Sequence, residues 1–410
     1  MFALVDCNNF YVSCERLFRP DLQQHPVAVL SNNDGCIVAR SEEVKSLGIK
    51  MGTPVFKVLS LIKKHNIKLF SSNYTLYGDI SNRVMSTLEN LSSEIEVYSI
   101  DEAFICLKNI PHQQWESYGI QIQKTIYQHI GIPVSVGLAP TKTLAKAANK
   151  MAKKNKQKVC SIYNNTTHSL NQINLTDVWG IGAGYFKILN AYGVQTPIQF
   201  INLNPFVVHK LLGSKGALVH QELCGIQCLN LDNTPHTPQS VCYSRTLAKS
   251  ICEEQLSSIL ALFSEKIALK LRKRRCKAKV IRVFLKTSSY TQHHTVYVSQ
   301  QRTLLHPSND SRAIFICAQK ILAHVEFREW KKIGLMALDL SYTEQHSLFP
   351  QEHNSKIMNI MDTINTKMGA KTIQLAASLQ ATNTKSSWKN QAYKSPRYTT
   401  QWSELPLVHI

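Results

Sequence analysis

The stretch VYSIDEAFICL, Val97 to Leu107, sets two adjacent carboxylates, Asp101 and Glu102, between two apolar runs that read as strands. Like charges that close destabilise one another unless a cation or a hydrogen-bond network compensates them, so the pair asks for a ligand. The plain alternative is a solvated turn, because Asp and Glu are common in turns and a dipeptide has little specificity. A third carboxylate, Asp6, closes the apolar opening strand MFALVD. If that strand lies beside the hairpin, Asp6, Asp101 and Glu102 converge. They would then offer hard oxygen ligands to two divalent ions about 3.5–4 Å apart, which hold an attacking and a leaving oxygen in line at phosphorus. The cations are what would make the paired charges tolerable.

The surrounding pattern supplies the elements that could bring these groups together. Ile80, Val84, Leu88 and Leu91 recur at helical spacing between Tyr77 and Leu91 and mark an amphipathic helix leading into the hairpin. IPVSVGLAPTKTLAKAANKMAKK reads as a strand, an N-cap at Thr141 and a helix, while HPVAVLSN and CIVARS read as two further short strands. Strand, helix, hairpin, helix and strand together predict a split βαβ sheet with helices on one face. Lys142, Lys146, Lys150 and Lys153 fall four, four and three apart, so they share one helix face. Such a stripe is often only solvated, but directly after a strand of the catalytic sheet it reads as a phosphate contact. The polar, proline-bearing stretch NLDNTPHTPQS, Asn230 to Ser240, reads as a linker. The last ~60 residues, rich in Ser, Thr, Asn and Lys, read as weakly ordered or partner-dependent.

Composition narrows the partner. The 410 residues suffice for two to four domains, and 47 Lys and Arg against 27 Asp and Glu leave a net charge of +20. That surplus favours a polyanion, either nucleic acid or an anionic membrane surface. No apolar run approaches the length of a membrane span, and MFALVD lacks the charged start of a signal peptide, so the membrane option weakens. The 11 cysteines include no CxxC pair, and the closest two, Cys224 and Cys228, have no partner couple. They read as reduced cytosolic thiols.

The segments VDCNNFYVSCE, SNNDGCIVARSEEVKSLGIKMG, FSSNYTLYGDISNRVMSTLE, YSIDEAF and TKTLAKAANKMAKK resemble the Y-family translesion DNA polymerases, specifically the UmuC-type catalytic subunits of bacterial DNA polymerase V. The similarity runs from Met1 to the C-terminal SPRYTT. The resemblance implies an α+β multidomain right-hand polymerase. Its ferredoxin-like palm would take residues 1–10 and 77–163, its small fingers 11–76, and its helix-hairpin-helix thumb 164–230. A linker at 231–240, an α/β little finger at 241–345 and a partner-binding tail at 346–410 would follow. Asp6, Asp101 and Glu102 match the family's metal-binding, catalytic carboxylates, with two Mg2+ ions as cofactor. Tyr11, with Phe10 beside it, matches the steric gate, an aromatic ring that leaves no room for a 2′-hydroxyl on the incoming sugar. Lys45 and Lys153 match positions that touch the incoming triphosphate, and Arg40 is a nearby candidate. The chain departs from the DinB-type members, which carry a tyrosine where it has Glu42.

VWGIGAGYFKILNAYGVQT resembles a helix-hairpin-helix, whose turn at Gly180 and Gly182 would offer backbone amides to a DNA phosphate without reading bases. EKIALKLRKRRCKAKVIRVFLK contains ten basic residues and one acid, and Arg272, Lys273, Arg274, Arg275 and Lys277 suit a little finger lying along the DNA backbone. EQHSLFP resembles a QxxLF sliding-clamp peptide through Gln345, Leu348 and Phe349, although Leu348 and Phe349 could instead close a domain core. Cys36, Ile37, Val38 and Ala39 lie where the family roofs the nascent pair, and small side chains there should tolerate lesions at the expense of fidelity. The expected activity is error-prone, template-directed translesion synthesis without proofreading, in the cytoplasm of a bacterium and on its nucleoid. Primer-template DNA and dNTPs are the expected substrates, and a UmuD′ homodimer and a recombinase filament are partners implied by the family. A palm-type nucleotidyl cyclase explains neither the thumb motif nor the charge, and a non-catalytic DNA-binding scaffold does not need Asp6, Asp101, Glu102 and Tyr11 together.

Overall fold

The computed structural model describes the whole chain except residues 164–165, 233–236, 248–250, 252, 289–294, 327, 343–354, 370, 380–390 and 406–410. It comprises two compact units. Unit 1 is Met1–Ser31, Gly35–Thr234 and Tyr393–Ile410, and unit 2 is Asn32–Asp34 and Pro235–Ala392. Among the described residues no helix is long and apolar enough to cross a membrane, and the ten described cysteines are free.

Unit 1 starts with strand β1 (Phe2–Cys7) and helix α1 (Phe10–Leu17). A small three-stranded sheet follows, formed by β2 (Val27–Leu30), β3 (Ile37–Arg40) and, beyond α2 (Glu42–Ser46) and α3 (Leu59–Lys64), β4 (Lys68–Ser71). Ala28, Leu30, Ile37, Val44 and Ile49 give it its own core. The chain continues through α4 (Tyr74–Leu91), the hairpin β5 (Ile95–Val97) and β6 (Glu102–Cys106), α5 (Trp115–Ile130), β7 (Val134–Ala139), α6 (Lys142–Lys154) and β8 (Val159–Ser161). These strands order as β5-β6-β1-β7-β8, with β1 central and antiparallel to both β6 and β7.

Side chains alternate along β1, so its two faces meet different helices. Ala3, Val5 and Cys7 pack with Ile80, Val84 and Leu88 of α4 and Ile122 and Ile126 of α5. Phe2 and Leu4 pack with Leu144, Ala145 and Ala148 of α6. The helices therefore cover both faces of the sheet, not one as the sequence pattern predicted. The signal is weak because α6 meets the sheet with alanines, which carry little hydrophobic contrast beside its five lysines. Close approach needs a small residue opposite, and a Cβ on Gly137 of β7 would collide with the α6 backbone at Ala145 and Asn149. Thr141 caps α6 by accepting from the Leu144 amide at 3.2 Å and donates its own proton to the Glu222 carbonyl at 2.8 Å.

Among the described residues, four more α-helices belong to unit 1: α7 (Thr166–Leu170), α8 (Ala183–Ala191), α9 (Pro197–Ile201) and α10 (Pro205–Leu223). Their Leu189, Phe200, Val208 and Leu223 join the α6 cluster. Unit 2 runs, in chain order, β9 (Ser240–Thr246), α11 (Glu253–Lys273), β10 (Lys277–Thr287), β11 (Tyr297–Ser308), α12 (Ser311–Leu322), β12 (Trp330–Ser341) and α13 (Ser355–Lys367). Its strands form an antiparallel sheet, ordered β11-β10-β12-β9. Ile281, Val283 and Leu285 share one core with Leu260, Phe263 and Ile267 of α11 and Ile314 and Ala318 of α12.

The described parts of the tail are folded, contrary to the expectation from composition. In unit 2, α13 buries Met358 and Met361. In unit 1, Tyr398 stacks on Phe18 at 4.5 Å. A few well-spaced anchors suffice to dock a polar segment, and average composition does not register them.

Candidate active site

Strand pairing brings the carboxylates together. Asp6 stands directly opposite Glu102 in the β1–β6 register, and the Cys7 amide donates to the Asp101 carbonyl at 2.9 Å. The hairpin tip is held locally, since the Ser99 hydroxyl donates to the Asp101 carboxylate at 2.6 Å and the Ser81 hydroxyl of α4 donates to the Ile100 carbonyl at 2.6 Å. Burial pushes the Asp6 carboxyl up to about 6. Lys153 opposes that shift, and the charges of Glu102 and Asp101 add to it. Burial also raises the neighbouring Cys7 thiol, with Asp6 and Asp101 acting in the same direction.

The α6 lysines answer this negative charge. Lys153 pairs with Asp6 at 2.5 Å, and Lys146 reaches both oxygens of Glu102 at 2.9 and 3.1 Å. Lys146 also lies over the rings of Tyr98 at 4.4 Å and Trp179 at 5.4 Å. Lys150 pairs with Asp177 at 2.5 Å. Lys142 is buried in an ion pair with Glu96 and sits over the Phe104 ring, where the sequence pattern reads as a phosphate contact. The stripe is real, but it meets the sheet and the 175–179 segment. Among the described residues no three His, Cys, Asp or Glu side chains already close on a common point. The donor set nonetheless suits hard divalent cations: three carboxylates at adjoining backbone positions, in which the two lysines now supply the neutralising charge.

Tyr11 lies half-buried just beyond this cluster. It stacks on Tyr77 at 4.4 Å and meets Tyr74 edge-on at 5.9 Å. Burial raises its phenol, with smaller contributions from Tyr74 and Asp101. Phe10 is buried in the core, 4% exposed, with its ring 5.8 Å from that of Tyr11, so of the two Tyr11 is the accessible one. Lys45 pairs with Glu42 at 2.6 Å, and Glu42 also accepts from Asn9 at 3.1 Å. The Arg40 Nε is buried without a hydrogen-bond partner.

Comparison with known proteins identifies this arrangement. Residues 5–150 match the impB/mucB/samB family and residues 238–348 its C-terminal domain. The chain is 36% identical to the protein ImpB of Salmonella typhimurium, with all of both chains covered. It is 36% identical to the protein UmuC of Salmonella typhimurium strain LT2, with 99% of each covered. It belongs to the impB/mucB/samB family. It is a DNA-directed DNA polymerase of the Y family that carries out translesion synthesis. Similarity extends at 26% identity to DNA polymerase IV of Moorella thermoacetica, over 92% of this chain and 95% of that one. The fold matches a Y-family DNA polymerase chimera with a TM-score of 0.68 at 21% identity, over 83% of this chain and 99% of the other. It also matches DinB from Sulfolobus solfataricus with a TM-score of 0.54 at 22% identity, over 82% and 98%. Membership carries a general dependence on divalent metal. Residues 355–408 match a domain of unknown function.

Other predicted contacts of the polymerase distribute as follows. Gly180 turns the chain with φ of 93°, and a Cβ there would come within 2.6 Å of Val219, while Gly182 caps α8 from an extended conformation with open space around it. Lys273, Arg274 and Arg275 are exposed where α11 ends, and Lys277 begins β10 half-buried. Arg272 does not join them. Its guanidinium makes a two-pronged pair with Asp362 at 2.6 and 2.8 Å and donates to the Asn309 carbonyl at 2.7 Å. Gln345, Leu348 and Phe349 lie outside the described residues.

Sequence reasoning missed Glu15, Tyr77, Asn73 and Ser395. Glu15 is fully buried and receives the Tyr77 hydroxyl at 2.6 Å. Its carboxyl is pushed up to about 7 by burial, against the hydrogen bonds from Tyr77 and Ser395. One signal was available: Glu15 lies four residues after Tyr11 and hence on the same face of α1.

Proposed function

We propose that this polymerase joins nucleotides by two-metal phosphoryl transfer at Asp6, Asp101 and Glu102, with Tyr11 excluding ribose. The observation that carries the reading is the register that sets Asp6 opposite Glu102, with Asp101 adjoining both and Tyr11 just beyond. The three carboxylates would hold two Mg2+ ions, which when bound activate the primer 3′-hydroxyl and offset charge on the departing pyrophosphate. The chain's own contribution is positioning. The β1–β6 ladder holds the carboxylates at fixed separation, and Lys153 and Lys146 balance their charge until cations and a triphosphate arrive. On this reading Lys153 then turns to the triphosphate together with Lys45 and the unpaired Arg40. Palm at 1–10 and 77–163, fingers at 11–76, thumb at 164–230 and little finger at 241–345 are the corresponding assignments. The Gly180–Gly182 turn and the exposed Lys273, Arg274 and Arg275 would hold primer-template DNA by its phosphates.

A sliding clamp would be engaged through Gln345, Leu348 and Phe349. A UmuD′ homodimer, a recombinase filament and residence on the bacterial nucleoid are carried over from the family. Tethering suits an enzyme whose DNA contacts are electrostatic and screened by salt, because it makes rebinding of the primer end intramolecular. Primer extension on damaged and undamaged templates tests the core of the proposal. Asp101→Asn should reduce incorporation by at least ~10³-fold, since losing a metal ligand removes several kcal/mol of transition-state stabilisation. DNA affinity should be unchanged. Activity within tenfold of wild type would remove Asp101 from the metal site.

A further inference from the structure

We propose that the C-terminal segment Tyr393–Thr400 is a strap that positions the sugar-selecting Tyr11, acting through Ser395, Glu15 and Tyr77. The inference rests on the gate role assigned to Tyr11, and it gives a task to part of the domain of unknown function matched at residues 355–408.

The strap ties together the two helices that build the tyrosine cluster. Helix α1 carries Tyr11 and Glu15, and α4 carries Tyr74 and Tyr77. The Ser395 hydroxyl donates to Glu15 Oε1 at 3.0 Å, the same oxygen that accepts from the Tyr77 hydroxyl at 2.6 Å. Asn73, which caps α4 by accepting from the Leu76 amide, turns its side-chain amide to the strap. It donates to the Ser395 Oγ at 3.0 Å and to the Ser395 and Pro396 carbonyls at 3.2 and 3.0 Å. Ser395 thus links the α1 carboxylate to the α4 cap while itself buried. Backbone pairing fixes its height: the Ser71 amide donates to the Tyr393 carbonyl at 2.9 Å, and the Tyr393 amide donates to the Ser71 hydroxyl at 3.0 Å. Tyr398, stacked on Phe18 just past the end of α1, anchors the other side.

The route to the gate is short. Tyr77 is the wall on which Tyr11 stacks, at 4.4 Å and 15° between planes. A phenol whose hydroxyl is bonded to a buried carboxylate cannot slide or tilt without straining that bond, so the position of its ring is held. Glu15 is fixed in turn by Ser395. Freeing the carboxylate on one side lets Tyr77, and with it Tyr11, shift from the position that excludes a 2′-hydroxyl. Ser395 touches neither substrate nor metal on this account. It is a positioning residue.

The test compares dNTP and rNTP incorporation by the full-length protein, expressed as the ratio of their kcat/KM values. Ser395→Ala should lower that ratio about five- to tenfold, the weight of one ordinary intramolecular hydrogen bond. It should leave dNTP incorporation within about twofold, and Ser395→Thr, which keeps the hydroxyl, should restore the ratio. Tyr77→Phe, which removes the neighbouring hydroxyl without emptying the core, should lower it similarly. In a Tyr11→Ala background, where no gate remains, Ser395→Ala should have no further effect on the ratio. An unchanged ratio in Ser395→Ala, an equal loss for dNTP and rNTP, or an undiminished effect in the Tyr11→Ala background would overturn the strap while leaving the gate in place. A Tyr11→Ala enzyme that still rejects rNTPs would refute the gate and the strap with it.

Discussion

Replacing Lys142 by Met separates two accounts of the basic stripe. If Lys142 contacts DNA, its loss costs affinity; if the buried pair with Glu96 is its role, its loss costs stability. The Lys142 side chain is 5% exposed and that of Glu96 is 11% exposed, so both charges are out of water. Removing the lysine leaves the Glu96 carboxylate with the Asp232 amide at 2.6 Å but without its counter-charge. Breaking a buried pair on one side costs about 3–5 kcal/mol, because the remaining charge keeps its desolvation penalty. In a unit of this size each kcal/mol lowers the midpoint by about 2–4 °C, so a drop of roughly 6–20 °C is expected in the unit 1 transition. The double variant Lys142→Met with Glu96→Leu should recover most of that loss, since an apolar pair carries no desolvation cost. DNA affinity measured across salt concentrations supplies the opposing arm. Each phosphate contact contributes about 0.9 to the slope of log affinity on log salt. The slope should not change in Lys142→Met, and a fall of about one with an unaltered midpoint would refute the buried-pair account.

Other predictions address neighbouring features. Glu15 titrates near 7 when folded, against an ordinary value of 4.5, so folding favours its protonated form. Its contribution to stability is therefore complete below about pH 4.5 and lost as pH rises through 7, about 3 kcal/mol in all at 1.36 kcal/mol per unit. Tyr77, Tyr398 and Cys14 face it and stay neutral across that range, so denaturant titrations of Glu15→Gln should show this slope flattened. Arg272→Met should destabilise unit 2, seen as a lower midpoint, with no change in DNA salt slope, whereas Arg274→Glu with Arg275→Glu should weaken DNA binding and leave the midpoint within about 2 °C. Gly180→Ala forces a Cβ against Val219 at a φ of 93° and should cost at least ~2 kcal/mol by chemical denaturation.

Local pattern carried much of this polymerase. The spacing of Ile80, Val84 and Leu88 marked the buried stripe of α4, and Thr141 marked the start of α6. These signals are readable because side-chain periodicity and capping depend on residues a turn apart. The doublet at Asp101 and Glu102 is legible for the same reason, since two adjacent like charges repel and ask for a compensating partner, although a solvated turn would look the same. What the charges do depended on partners far along the chain. Asp6 meets Glu102 only through the β1–β6 register, and the face of α6 that carries its lysines is turned to acids contributed by β1, β5, β6 and the 175–177 segment. A helical period states which residues share a face, and only packing states what that face meets. Phe10 and Tyr11 show the same division: the resemblance singles out Tyr11, and packing then buries Phe10 while leaving Tyr11 half-buried against Tyr77. The strap is the extreme case. Ser395 lies 380 residues from Glu15, in a segment whose composition argues for weak order. Its contacts arise because a buried carboxylate needs hydrogen-bond donors, and tertiary structure decides which distant hydroxyl supplies them.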